Sequence, residues 1–266
     1  MAAVSLSSGL ASVAVPNNVV QAAPLSEVNQ QLFYAAGRGN LDAVKDALDN
    51  GADIDVIGIM GNTPLMCAAK LGHEEVAKFL VSMGADLNAR AEDGTTLLYY
   101  AIVKDKKLAK FLIDAGVDIN AKDNEGRTPL FSAIEGRGEI VRWLIEAGAD
   151  LDVQYHGMTL LHLASYSRNE EVAKLLIDGG ANLEIKNPQG QTALAHVTGV
   201  FLIIKDDKLK NIGNWLIAAG AKIDKRTASL IENGTYDKPE ENQKPINAMK
   251  KKWNNVKNQQ NNNNNQ

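Results

Sequence analysis

Cysteine occurs once in the 266 residues, as Cys67, so neither an internal disulfide nor a thiolate metal cage can form. Aromatic side chains make up only 5%, too few for a platform on which successive bases stack. Four histidines would make one metal site only if they converged. Positive charge is not in excess. Lys plus Arg number 28 against 32 Asp plus Glu, a net −4, which argues against a polycation built to coat nucleic acid. No Walker-type phosphate loop, Gly-x-Gly-x-x-Gly or Gly-x-Ser-x-Gly elbow occurs. The composition is otherwise that of a soluble globular chain, with 45% hydrophobic and 23% charged residues. Charge is unevenly spread: from Lys225 onward eight Lys or Arg stand against four acids, so a basic tail follows an acidic body.

What the chain has is a repeat. Gly51-Ala52, Gly84-Ala85, Gly116-Val117, Gly148-Ala149, Gly180-Ala181 and Gly220-Ala221 recur at intervals of 33, 32, 32, 32 and 40 residues. Before each from Gly84 on lies an apolar helical pattern, such as Val76, Phe79, Leu80 or Ile140, Trp143, Leu144. After most comes an acid or Asn, an aliphatic residue, then Asp, Asn or Glu, as in Asp53-Ile54-Asp55 and Asp118-Ile119-Asn120. A second landmark follows about ten residues later: Gly61-Asn62-Thr63-Pro64-Leu65, Gly94-Thr95-Thr96-Leu97-Leu98, Gly126-Arg127-Thr128-Pro129-Leu130, Gly157-Met158-Thr159-Leu160-Leu161 and Gly190-Gln191-Thr192-Ala193-Leu194.

Residues 53–85 show the physics of one unit. Gly61 permits the positive φ that ends a tight turn. Thr63 is a helix N-cap, and Pro64 at the first helical position forfeits no hydrogen bond. Leu65, Ala68 and Ala69 face inward, the alanines small enough for a second helix to approach. Gly72 ends the first helix, and Glu74 and Glu75 favour the start of the second through its dipole. Each unit exposes apolar faces that it cannot bury alone, so neighbours must stack.

These residues resemble the ankyrin repeat, whose unit runs Gly-x-Thr-Pro-Leu-His-x-Ala-Ala, then Gly-His, an aliphatic helix and Gly-Ala-Asp-aliphatic-Asn. Residues 61–88 match nearly throughout, with Met66 where the family often has His; His162 keeps that histidine. Thr96-Leu97 and Thr159-Leu160 lack the proline, and the turns after Ala101 and Ala133 are a residue short. The resemblance covers about residues 25–224. It implies an all-α solenoid of stacked helix pairs with projecting β-hairpin loops, six repeats in all, the first a cap.

The resemblance also implies a protein partner, bound on a concave face of hairpin tips and first helices. Carried over position by position, that face comprises Met60 and Asn62; Arg90, Glu92 and Asp93; Lys122, Asn124, Glu125 and Arg127; Gln154, Tyr155, His156 and Met158; and Lys186, Gln189 and Gln191. Lys70 and Tyr166 join it from the first helices. Tyr155, His156, Met158 and Tyr166 are the richest cluster, because aromatics and Met concentrate binding energy. No catalytic residue, cofactor or metal site is expected. His73 and His162 sit where a repeat histidine bridges neighbouring loops, and Cys67 reads as a buried, inert thiol.

Three segments depart from the repeat. The 40-residue interval carries an insertion of seven or eight residues around Val200–Asp207, read as a lengthened first helix or an exposed apolar patch. Residues 225–266, basic and Asn/Gln-rich, read as a disordered tail or a loosely docked arm, with a short basic helix over 246–256 as an option. Through that tail the chain would touch a membrane surface or an acidic partner, the alternative to a pure interaction module; an enzyme with an unrecognised site is a third reading. Residues 1–24 carry no charge and read as an arm or a signal-like segment ending near Val20-Gln21-Ala22. Export is expected if that segment is a signal and a cytoplasmic location otherwise. The chain is expected to be a monomer.

Overall fold

The structure, a computed structural model, describes residues 25–134 and 138–236. Its helices come in antiparallel pairs: α1 (Glu27–Arg38) with α2 (Leu41–Asp49), α3 (Pro64–Leu71) with α4 (Glu74–Ser82), and α5 (Leu97–Lys104) with α6 (Lys106–Asp114). Then follow α7 (Pro129–Ala133) with α8 (Gly138–Glu146), α9 (Leu160–Tyr166) with α10 (Glu170–Asp178), and α11 (Ala193–Ile204) with α12 (Asp207–Ala218). A last helix, α13 (Lys225–Glu232), is followed by no second helix among the described residues. First helices pack on first helices (α1 on α3, α3 on α5, α9 on α11) and second on second (α2 on α4 through to α10 on α12). The result is a stack of helix pairs with one continuous core.

Local chemistry explains the boundaries. Thr63, Thr96, Thr159 and Thr192 each accept a backbone N–H three residues on, so the cap works with or without proline after it. Leu65, Ala68, Ala69 and Leu80 have no exposed surface, which is the apolar stripe read from the sequence. The shortened turn after Ala101 has a simple cause. Asp105 ends α5 and at once caps α6 through Lys107 N (2.8 Å), replacing the Gly72-His73 pair of the preceding unit.

The Asp-aliphatic-Asn motif proves to be the rail that ties units together. Its first residue caps its own turn, as Asp86 Oδ1 accepts from Asn88 N at 2.8 Å. Its third residue accepts the backbone N–H of the next unit's first: Asp55 from Asp86 N, Asn88 from Asp118 N, Asn120 from Asp150 N and Asp152 from Asn182 N, at 2.7–2.9 Å. Asn29 on α1 starts this chain of bonds and the longer Glu184 ends it on Lys222 N. An orphan donor is satisfied at every junction.

A second ladder runs over the outer helices. Lys45 lies over the Phe79 ring, Lys78 over Phe111, Lys110 over Trp143 and Lys174 over Trp215, 5.2–5.9 Å from the ring centroids. Each such contact contributes about 0.5–1 kcal/mol at an exposed site. It binds one unit's second helix to the next.

The insertion resolves into helix. α11 and α12 have 12 residues each, against 7–9 in the α3–α4, α5–α6 and α9–α10 pairs. The first helix is lengthened as expected, and the second shares the extra length. Val197 and Phe201 are buried, while Ile203 is exposed and Ile204 half-exposed, so the lengthened helix covers core with one face and leaves an apolar patch on another.

The expected tail boundary needs correcting. Residues 225–232 are not unstructured: Asp224 caps α13 by accepting from Thr227 N (2.7 Å), and α13 packs on α11 as the first helix of a seventh, incomplete unit. Thr227, Leu230 and Tyr236 are buried there. The sequence hid this helix because it lacks the Gly-x-Thr-Pro entry. The signal-like segment 1–24, the shortened turn after Ala133 and the tail residues 237–266 lie outside the described residues.

Candidate protein-binding face

The loops between units share one design. In each, the N–H at the loop's entry donates to the carbonyl four residues on: Gly58 to Asn62, Ala91 to Thr95, Asp123 to Arg127 and Asn187 to Gln191, at 2.9–3.0 Å. Among the described residues only the fourth loop closes as a true ribbon, β1 (Gln154–Tyr155) against β2 (Met158–Thr159), with Tyr155 opposite Met158. Gly157 supplies its positive φ, beside His156 at φ 49.

Neighbouring tips also bond to one another. Glu92 N donates to Met60 O (3.0 Å), Asn124 N to Asp93 O (3.3 Å) and Asn124 Nδ2 to Glu92 O (3.0 Å). Arg90 reaches the Lys122 carbonyl. Gly94 is required by this closeness: its φ is +77, and a Cβ there would lie 2.6 Å from Asn124 N. The tips therefore form a continuous wall.

Several residues assigned to partner contact are thus engaged in the scaffold. Asn62 is the clear correction: it is 3% exposed and donates to Ile59 O, so it is no surface contact. Arg127 is held by Asp123 (2.7 Å) and Glu125 (3.3 Å), and the Asp123 hydrogen bond raises its pKa further above the usual arginine value. Tyr155 donates to Glu125 Oε2 at 3.0 Å, and that bond, before any burial, lifts its hydroxyl pKa. Asp93 is held below the usual carboxylate range by its bonds to Thr95.

Behind the wall runs a groove of about 440 Å³, lined by Tyr99, Val103, Arg127, Phe131, Ser132, Ile134, Tyr155 and Leu163. Phe131 meets Tyr155 edge to face at 5.8 Å, and Tyr155 leans on His156 at 4.1 Å. One unit further, Tyr166 stands 71% exposed and stacks on His196 with 5.9 Å between ring centres. Lys70 lies 5.2 Å over the Tyr100 ring, outside the groove's lining. The groove thus joins Arg127 and Tyr155, while Tyr166 stands outside its lining, on the same helix as Leu163. Met60 stays at one end of the array and Lys186 and Gln189 at the other.

Sequence reasoning missed Tyr99, Phe131, Leu163 and His196 on this face. Leu163 and His196, like Cys67, Tyr100 and Ser132, stand just before the buried inner-face residue of their units (Ala164, Val197, Ala68, Ala101 and Ala133). That shared register was the available signal.

The histidines and the cysteine have structural surroundings. His162 is buried between Thr159 Oγ1 (2.8 Å) and the Gln191 carbonyl (3.0 Å), and burial lowers its pKa. His73 meets the Gly37 carbonyl at 3.0 Å. Burial pushes the Cys67 thiol up to about 11 despite nearby Lys70. Among the described residues no three His, Cys, Asp or Glu side chains are grouped to hold a metal ion, and no helix is long and apolar enough to cross a membrane.

Stacked helix pairs, glycine-turned tips and an inward groove define a repeat array that presents one extended face. The chain belongs to the ankyrin-repeat family: the family model "Ankyrin repeats (3 copies)" matches residues 13–91, 32–123 and 89–155, and "Ankyrin repeat" matches 156–188. The match stops before the lengthened helices. The chain is similar to ankyrin repeat-containing protein P1E11.10 of Schizosaccharomyces pombe, 35% identical over 75 residues, 28% of this chain and 36% of that protein. It is 43% identical over 63 residues to human protein phosphatase 1 regulatory subunit 27, 24% of this chain and 41% of that one. It is 38% identical over 76 residues to the probable E3 ubiquitin-protein ligase XBOS33 of Oryza sativa subsp. japonica, 28% of this chain and 14% of that one. The similarity spans less than half of each relative. Ankyrin repeats are in general modules through which proteins bind other proteins.

Proposed function

We propose that this chain is a non-enzymatic recognition module whose protein partner seats in the groove between the tips and the first helices of the third to fifth units. The observation that carries this reading is the groove lined by Tyr99, Val103, Tyr155 and Leu163, with Tyr166 exposed further along the helix that carries Leu163. The tyrosines among them belong to the residue types that dominate interface energy, and the aliphatic side chains beside them exclude water. The bonded tips keep the face pre-formed, which removes a further ordering cost. A relative named as a regulatory subunit, which acts by association with another protein, supports the same reading. So does the engagement of His73, His162 and Asp123 in holding the scaffold rather than in a reactive cluster.

Tyr166 gives the clean test, because its exposed ring holds up little of the fold. Tyr166→Ala with Val103→Ala is expected to abolish capture of the partner that the full chain retains, with the helical circular dichroism and melting temperature unchanged. Undiminished capture by this variant would remove the groove from the proposal. Tyr155 is a poorer probe, since its loss also frees Glu125 and Phe131.

A further inference from the structure

The last turn of α11 is uncovered, and the reason is visible in the stacking. Each first helix is covered by the first helix of the next unit. α13 takes that role for α11, but has 8 residues against 12. Asp224 and Thr192 are the two N-caps, so α13 runs out about level with Val200. Tyr236 extends the cover by one position: its ring lies 5.8 Å from Phe201 and against Gly213, where a Cβ would come within 2.6 Å of it. Beyond this, Ile203 is 81% and Ile204 48% exposed. Two adjacent bare isoleucines on a helix one turn longer than its cover form a surface that asks for an occupant.

The chain itself continues from this spot. Tyr236 is buried beside α11, and residues 237–266 follow it. Within them Ile246, Met249, Trp253 and Val256 recur at spacings of three, four and three, which places them along one side of a helix. Lys251 falls on the opposite side. Pro245 stands just before Ile246, where a helix start tolerates proline. The nine intervening residues span up to about 30 Å when extended, while Ile204 lies only about 5 Å along α11 from Phe201. Reach is therefore ample.

We propose that residues 246–256 fold back as an amphipathic helix and lay Ile246, Met249, Trp253 and Val256 over Ile203 and Ile204. The segment then completes the seventh unit in place of a regular second helix. The regular helix is ruled out by sequence: aligning Trp253 with Phe79 and Trp143 puts Lys250, Lys251 and Asn254 where Val76, Ala77 and Leu80 are buried. This inference is independent of the groove and its partner.

Trypsin digestion of the full chain tests it, because Lys238 and Lys244 both precede proline and resist cleavage, leaving Lys250, Lys251 and Lys252 inside the proposed helix as reporters and Lys257 just past it as an internal control. Cleavage at the reporters is expected to be about tenfold slower than in a free peptide of residues 244–262, since a docked helix must open before it is cut. Ile203→Gln with Ile204→Gln, which removes the apolar surface without setting carboxylates against the end of α11 or beside the lysines, is expected to restore the peptide's rate with little change in melting temperature. Equal rates in the wild-type chain and the peptide would overturn the proposal. So would protection that survives the double substitution, which would place the segment elsewhere. Protection that grows with protein concentration would also overturn it, by making a second copy the occupant.

Discussion

His162 shows how much one side chain contributes to a repeat array. It spans two units, from Thr159 to the Gln191 carbonyl, and burial holds its pKa below the usual 6.5. His196 is shifted the same way, by burial first and then by His162, and its buried Nε2 finds no hydrogen-bond partner among the described residues. In unfolded chain both bind protons near the ordinary value. Below that value, and until the native pKa values are reached, the unfolded state holds more protons and stability falls with pH. The melting temperature is therefore expected to drop between about pH 7.5 and about pH 5.5, and His196→Gln to reduce that drop. A drop of the same size in the variant, measured by circular dichroism melts, would assign it to other groups. The bridging role of His162 was legible from its place in the Thr-Leu-Leu-His motif. The stacking of His196 on Tyr166 was not, because it depends on the spacing between units, which no single unit encodes.

At the scale of the helix, the periodic leucines decide stability. Leu80 on α4 and Leu144 on α8 are fully buried between first and second helices. Leu80→Ala and Leu144→Ala are each expected to cost about 2–5 kcal/mol, read from urea unfolding, because a cavity adds to the lost transfer energy. A cost near zero would mean that the core relaxes to fill the site. The Lys–aromatic ladder of the outer helices belongs to this scale too, and it breaks once: Arg142 is followed by Leu175 on the next unit rather than an aromatic ring. Helix identity, capping and inward faces were legible in residues 25–224, because they depend on spacings within a few turns. The division of the eight extra residues between α11 and α12 was not, since either helix alone would have satisfied the local pattern.

For the whole molecule the ends matter most, because an array buries its terminal units on one side only. Tyr236 closes the far end, covering Phe201 and Gly213. Burial also raises its hydroxyl pKa, so the ring is held in its neutral form. Tyr236→Ala is expected to cost about 2–5 kcal/mol, and a chain stopped at Asp224 to melt lower than the full chain, since Leu230 and Thr227 are lost with it. An unchanged melting curve on truncation would show that the sixth unit closes the array unaided.

Sequence alone determined the unit, its period and the stacking that follows. Those properties arise from turn glycines, N-caps and apolar spacing, all confined to some thirty neighbouring residues. Tertiary structure alone decided which polar tips are free to meet a partner and which are tied into the scaffold, Asn62 to its own loop and Arg90 to the next. It also decided that the chain past Asp224 adds a cap. Both outcomes rest on contacts between residues distant in sequence, and a side chain's availability depends on what the neighbouring unit brings beside it.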